Sequence, residues 1–137
     1  MDIREVTPGF AVSPQIAVED MQALADKGYV AVVCNRPDRE EPGQPPLEDL
    51  RAAAYEAGVA FHHIPVAGGA FPDAAIAAFG AVRKGTDGPL LAYCRTGMRS
   101  ITLETLANPE GFSAEERLGQ AKAAGYDLSA LAPRLGG

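Results

Sequence analysis

The chain has no tryptophan, only two cysteines and no apolar run close to the ~20 residues of a membrane span. Cys34 and Cys94 cannot make the disulfide framework of a small secreted domain, although one bridge is arithmetically available. No CxxC or HExxH spacing is present, so neither a metal nor another cofactor is expected. A basic surplus is also missing. Twelve Lys and Arg stand against 18 Asp and Glu, a net charge of −6, which makes nucleic acid and anionic membrane poor partners. Any anion site must be local, built from a few arginines and backbone amides. The opening MDIREVTPGF has neither a basic start nor an apolar core and does not read as a signal peptide. The expectation is a cytoplasmic protein with reduced thiols.

What is present suits one domain spanning 1–137. The chain has 137 residues, 47% of them hydrophobic, enough to bury a core without staples. Strands are expected within FAVSPQI and at YVAVVC (29–34), VAFHHIPV (59–66) and PLLAYC (89–94). The second and fourth are continuous apolar runs, the pattern of strands covered on both faces. Between them lie helical patterns. AVEDMQALADKG places Val18, Met21 and Leu24 on one face and stops at Gly28. PPLEDLRAAAYEAG starts behind two prolines and ends at Gly58. PDAAIAAFGAVRKG aligns Ile76, Phe79 and Val82, and SITLETLAN follows the second cysteine. SAEERLGQAKAAG opens with Ser113 and Glu116 at capping-box spacing, and DLSALAPRL reads as a short last helix. Strand–helix alternation predicts an α/β fold with a central, mostly parallel sheet of four to five strands flanked by helices.

In such a sheet, sites form beyond the carboxyl ends of the strands. Three of those ends converge, carrying Asn35-Arg36-Pro37-Asp38, Ala67-Gly68-Gly69, and Cys94 with its loop. The last is the chemical candidate. In LLAYCRTGMRS an apolar strand stops at a cysteine, a short loop turns, and a helix begins. The first amides of a helix lack internal partners and carry the positive end of its dipole, so such a loop binds anions and stabilises a thiolate. Gly97 permits the tight turn. Arg99 can donate as a fork to an oxyanion, and Ser100 can cap the helix or donate to the sulfur. Arg95, Thr96, Gly97 and Met98 line the cradle, with Arg95 free to face solvent and Arg36 offering substrate contact from the neighbouring strand end. Cys34 reads as core. His62 and His63 alternate across a strand and receive no role. Glu104 reads as a helix-face carboxylate.

YCRTGMRS resembles the active loop of rhodanese-type sulfurtransferases, C-R-x-G-x-R-S. The wider chain resembles the DUF442-type phosphatase-like domain family of beta-lactamase hydrolase-like proteins. SPQI, NRPDREEPGQP, HIPVAGG and YCRTGMRS carry that likeness. It implies the architecture of cysteine-dependent dual-specificity phosphatases, in whose relatives a second buried cysteine, here Cys34, can act as a resolving thiol for Cys94, and, through family fusions, a sulfur dioxygenase-type metallohydrolase as functional partner.

Two departures bear on the reaction. The protein phosphatase signature has His before the Cys and five residues between Cys and Arg. Here Tyr93 precedes Cys94, and four residues separate Cys94 from Arg99. A phosphatase also needs an acid for the leaving oxygen, and the start of VAGGAFPD has none. Asp73, at its end, and Asp38, on the neighbouring loop, are the candidates. These departures favour a sulfurtransferase moving sulfane sulfur through a Cys94 persulfide, from thiosulfate or glutathione persulfide to a thiol. A phosphatase acting through a Cys94 phosphocysteine is the alternative. A non-catalytic oxyanion-binding module is a third reading. All three take a small anionic sulfur or phosphate compound.

Overall fold

A computed structural model describes residues 1–136. Five strands form one sheet: β1 (Arg4–Thr7), β2 (Phe10–Ser13), β3 (Ala31–Cys34), β4 (Ala60–His63) and β5 (Leu90–Tyr93). Their spatial order is β1-β2-β5-β3-β4. The β1–β2 pair is antiparallel and the other three pairings are parallel. The expected α/β class and mostly parallel sheet are present.

The central strands are buried at every position, as continuous apolar runs require. Their side chains alternate between two cores. Ala11, Val32, Cys34, Leu91 and Tyr93 pack with Met21 and Leu24 of α1 (Asp20–Asp26) and Leu50 and Ala54 of α2 (Leu47–Ala57). Val12, Val33, Leu90 and Ala92 pack on the other face. There they meet Phe79 of α3 (Asp73–Gly85), Ile101 and Leu103 of α4 (Met98–Ala107), and Ala121 of α5 (Ala114–Ala123).

Several local signals act as read. Gly58 closes α2 in the left-handed region at φ 75°, and Ser113 and Glu116 form the reciprocal capping box of α5. Others do not. Arg4–Thr7 is a strand that has no apolar run to announce it; it is a half-exposed edge paired only to β2. Val18 lies outside α1 and is exposed, because the first helix starts two residues later. The last segment, Ser129–Arg134, is a 3-10 helix, consistent with Pro133 denying it an α-helical hydrogen bond.

Candidate active site

In the parallel register Ser13, Tyr93 and Cys34 stand side by side, so the loops after β2, β5 and β3 leave the sheet together. Asn35 ties these ends to their neighbours. Its N–H donates to the Tyr93 carbonyl (2.8 Å), and its carbonyl accepts from Val66 N–H (3.1 Å). Its side-chain Nδ2 donates to the Ile64 carbonyl (2.9 Å), and its Oδ1 accepts from Ser100 Oγ (2.8 Å). A wholly buried amide with all these groups engaged fixes the strand ends against α4. Ser100 is thus a buried strut. It neither caps α4, whose N-cap is Gly97, nor donates to sulfur.

Cys94 is fully buried at the end of β5. Its Sγ accepts the Gly97 N–H at 3.1 Å. Helix α4 starts at the next residue, its first N–H (Met98) bonded to Thr96 Oγ1, so the positive end of the helix dipole lies near the sulfur. Gly97 sits at φ 94°, and a Cβ there would collide with the Tyr126 hydroxyl.

Arg99 projects from the first turn of α4 and is held by two groups. Glu40 accepts from both terminal nitrogens, Oε2 from Nη1 and Oε1 from Nη2, each at 2.8 Å. The Val66 carbonyl accepts a second hydrogen bond from Nη1, also at 2.8 Å. Of the five N–H donors of a guanidinium, three are used. The Nε–H and one Nη2–H remain, which form the side edge that grips an oxyanion bidentately. Glu40 first, and Cys94 after it, push the Arg99 pKa up. The Arg99 hydrogen bond is also the main cause holding Glu40 down at about 2.

The loop between β3 and α2 delivers that glutamate. Gln44 Oε1 accepts the N–H groups of Glu40 (3.0 Å) and Glu41 (3.2 Å), while its Nε2 donates to the Pro37 carbonyl. Arg36 is the buried hub, with a side chain only 5% exposed. It bonds Glu40 through Nε, Gln15 through Nη1 and Glu41 through Nη2, at 3.0, 3.0 and 3.1 Å. The structure therefore places Arg36 behind the carboxylates, where it organises them, rather than facing a substrate. Arg95 is mostly exposed, as read, yet pairs with Glu41 at 2.7 Å.

Thr96 turns its carbonyl to Tyr126 and its Oγ1 to the Met98 N–H. Met98 is exposed at the start of α4. Asp38 Oδ1 accepts the Leu47 N–H at the start of α2, and Asp73 opens α3. Among the described residues neither carboxylate hydrogen-bonds to the Cys94 loop. Cys34 is buried, its Sγ donating to the Arg36 carbonyl at 3.3 Å, and burial is the main cause of its raised pKa. His63 Nε2 also contacts that carbonyl at 2.9 Å. Glu104, farther along α4, forms a bidentate ion pair with Arg83 of α3 and makes no hydrogen bond to the Cys94 loop.

Residues 2–110 match the family model of the beta-lactamase hydrolase-like protein, phosphatase-like domain. The chain belongs to this family. Beta-lactamase hydrolase-like proteins of Xylella fastidiosa and Agrobacterium fabrum are 35% and 36% identical over 107 and 95 residues, which is 78% and 69% of this chain. The chain spans about a quarter of their length, 25% and 22%. A crystal structure from Neisseria meningitidis, described as that of a candidate phosphatase, superposes with a TM-score of 0.85 and 34% identity, covering 99% of this chain and 97% of that one. The fold is shared with the kinase associated phosphatase at TM-score 0.73 and 15% identity, covering 94% and 85% of the two chains. This phosphatase-like domain therefore has the cysteine-phosphatase architecture implied by its sequence. The phosphatase-like family model and the structure described as a candidate phosphatase fit the phosphatase alternative better than the sulfurtransferase reading drawn from loop spacing.

The phosphatase-like domain also contains groups that sequence inspection passed over. Glu40, Gln44 and Tyr126 shape the cradle, as does Asn35, which stands at a converging strand end but carries no role in the sequence reading. Glu40 had a signal available in hindsight: adjacent acids in a Pro-rich loop leaving a buried strand, opposite a loop with two arginines.

Proposed function

We propose that the domain hydrolyses phosphomonoesters through a phosphocysteine on Cys94. The observation that carries this reading is the division of labour on Arg99: Glu40 and Val66 hold its end, leaving the side edge for an oxyanion next to Cys94. A phosphoryl group seated there meets the thiolate below, the Arg99 edge at the side and the α4 amides around it.

In the first step the Cys94 sulfur attacks phosphorus, an S–P bond forms, and the bond to the ester oxygen breaks. The leaving oxygen takes a proton. We assign that proton to Asp73, because the loop it ends begins against Arg99 at the Val66 carbonyl, whereas Asp38 is committed to Leu47. In the second step water gives a proton to the Asp73 carboxylate and attacks phosphorus, the S–P bond breaks, and inorganic phosphate leaves with the thiolate and the acid restored. Turnover of an aryl phosphate by the wild type, abolished in Cys94→Ser, is the test. A wild type without such turnover refutes the reading.

The short ring keeps sulfur transfer as a second reading. Four residues between Cys94 and Arg99 make a tighter cradle than the five of the phosphatase signature, better sized for a terminal persulfide sulfur. Thiosulfate would then leave an adduct of about 32 Da on Cys94, removable by thiol.

A further inference from the structure

Tyr126 lies beyond the 2–110 segment that matches the family model, yet it reaches the centre of the cradle. Its hydroxyl donates to the Thr96 carbonyl at 2.8 Å. That carbonyl belongs to the same peptide unit as the Gly97 N–H, which donates to Cys94 Sγ at 3.1 Å. In a planar trans peptide the C=O and N–H point in opposite directions. Anchoring the carbonyl on one side therefore aims the N–H at the sulfur on the other.

The anchor is itself well held. Tyr126 is 5% exposed and packs into the core beneath α4. Its N–H donates to the Ala121 carbonyl at 2.9 Å. Arg4 of β1 stacks over the ring at 5.1 Å and donates from Nη1 to the Ala124 carbonyl at 3.2 Å. Burial raises the phenol pKa, so the hydroxyl keeps the proton it must donate. The fit is also close: a methyl group at Gly97 would strike this hydroxyl.

We infer that Tyr126 is a positioning residue: by fixing the Thr96–Gly97 peptide, it aims a backbone donor at the Cys94 sulfur and at the phosphoryl group that would form there. The inference rests on the proposed phosphatase reading for its catalytic consequence, but not for its effect on the sulfur.

The test compares wild type with Tyr126→Phe, which keeps the ring and removes only the hydroxyl, folding being checked by thermal melting. Two readouts separate the claims. Iodoacetate alkylation of Cys94 at neutral pH needs no knowledge of the reaction, and it slows about fivefold, the worth of one hydrogen bond. On an aryl phosphate kcat falls about tenfold while KM stays within about twofold, because the lost donor serves the transition state. A folded Tyr126→Phe with alkylation and kcat both within twofold of wild type overturns the inference, whatever the substrate. Slower alkylation in a protein whose wild type turns over no phosphate ester leaves Tyr126 in place and removes the phosphatase reading.

Discussion

Glu40 grips Arg99 end-on, with both carboxylate oxygens at 2.8 Å from the two terminal nitrogens. An arginine held this way cannot swing its side edge away from Cys94 without breaking two charge-assisted bonds. Glu40→Gln therefore lowers kcat/KM for an aryl phosphate about tenfold, the value of ~1.4 kcal/mol of lost orientation. Steady-state kinetics decide it. A rise in activity would mean that Glu40 competes with the substrate for Arg99.

The same pair makes stability depend on pH in the acid range. Arg99 holds the folded Glu40 pKa at about 2, below its ordinary 4.5. A depressed carboxylate contributes stability that is complete above the ordinary value and is lost as pH falls toward the folded one. The urea midpoint of wild type should thus exceed that of Glu40→Gln above about pH 5, with the gap closing between there and pH 2. A gap that is constant over this range contradicts the pairing.

Gly97 cannot take a side chain. At φ 94° an alanine is strained, and its methyl group would meet the Tyr126 hydroxyl. Gly97→Ala is expected to cost about 2–4 kcal/mol in urea unfolding or to displace the loop. In either case turnover falls by more than an order of magnitude. An alanine variant of wild-type stability and activity would show that the loop conformation is wrong.

Arg83 and Glu104 serve as the control. Their ion pair joins α3 to α4, side chains 11% and 10% exposed, with Arg83 also on Glu110 and over the Phe10 ring at 4.6 Å. Arg83→Met strands a buried carboxylate and costs about 3 kcal/mol, while Arg83→Met with Glu104→Leu costs less than the single change. Where the variants fold, kcat stays within about twofold. An additive double variant, or a specific loss of kcat, would contradict a purely structural role.

Leaving-group dependence tests the acid. Asp73→Asn should slow alkyl phosphates more than aryl phosphates, because a good leaving group needs no proton. Asp38→Asn should cost at most about 1 kcal/mol of stability through the Leu47 contact and leave that selectivity unchanged. The reverse pattern would move the acid to the β3 loop.

Much of this was legible in the sequence because it rests on local physics. The all-apolar β3 and β5, the glycine stop of α2 and the capping box of α5 each follow from the chemistry of a few adjacent residues. So does the strand–loop–helix around Cys94. What stayed hidden depends on distance along the chain. Glu40 reaches Arg99 across 59 positions, Ser100 reaches Asn35 across 65 and Tyr126 reaches Thr96 across 30. No periodicity encodes such pairings. Residue type suits Ser100 to capping or to donating to the sulfur, and Arg36 to substrate contact, but the folded chain uses both to hold other side chains. Loop spacing favoured sulfur, whereas the likeness of the whole chain favours phosphate.

The most direct measurement is the mass of Cys94 after the protein is mixed with an aryl phosphate and quenched in acid within milliseconds. A phosphocysteine adds about 80 Da, resists thiol and is missing from Cys94→Ser. No such adduct under turnover conditions, with thiosulfate instead leaving a thiol-labile gain of about 32 Da, would contradict the account and assign the cradle to sulfur.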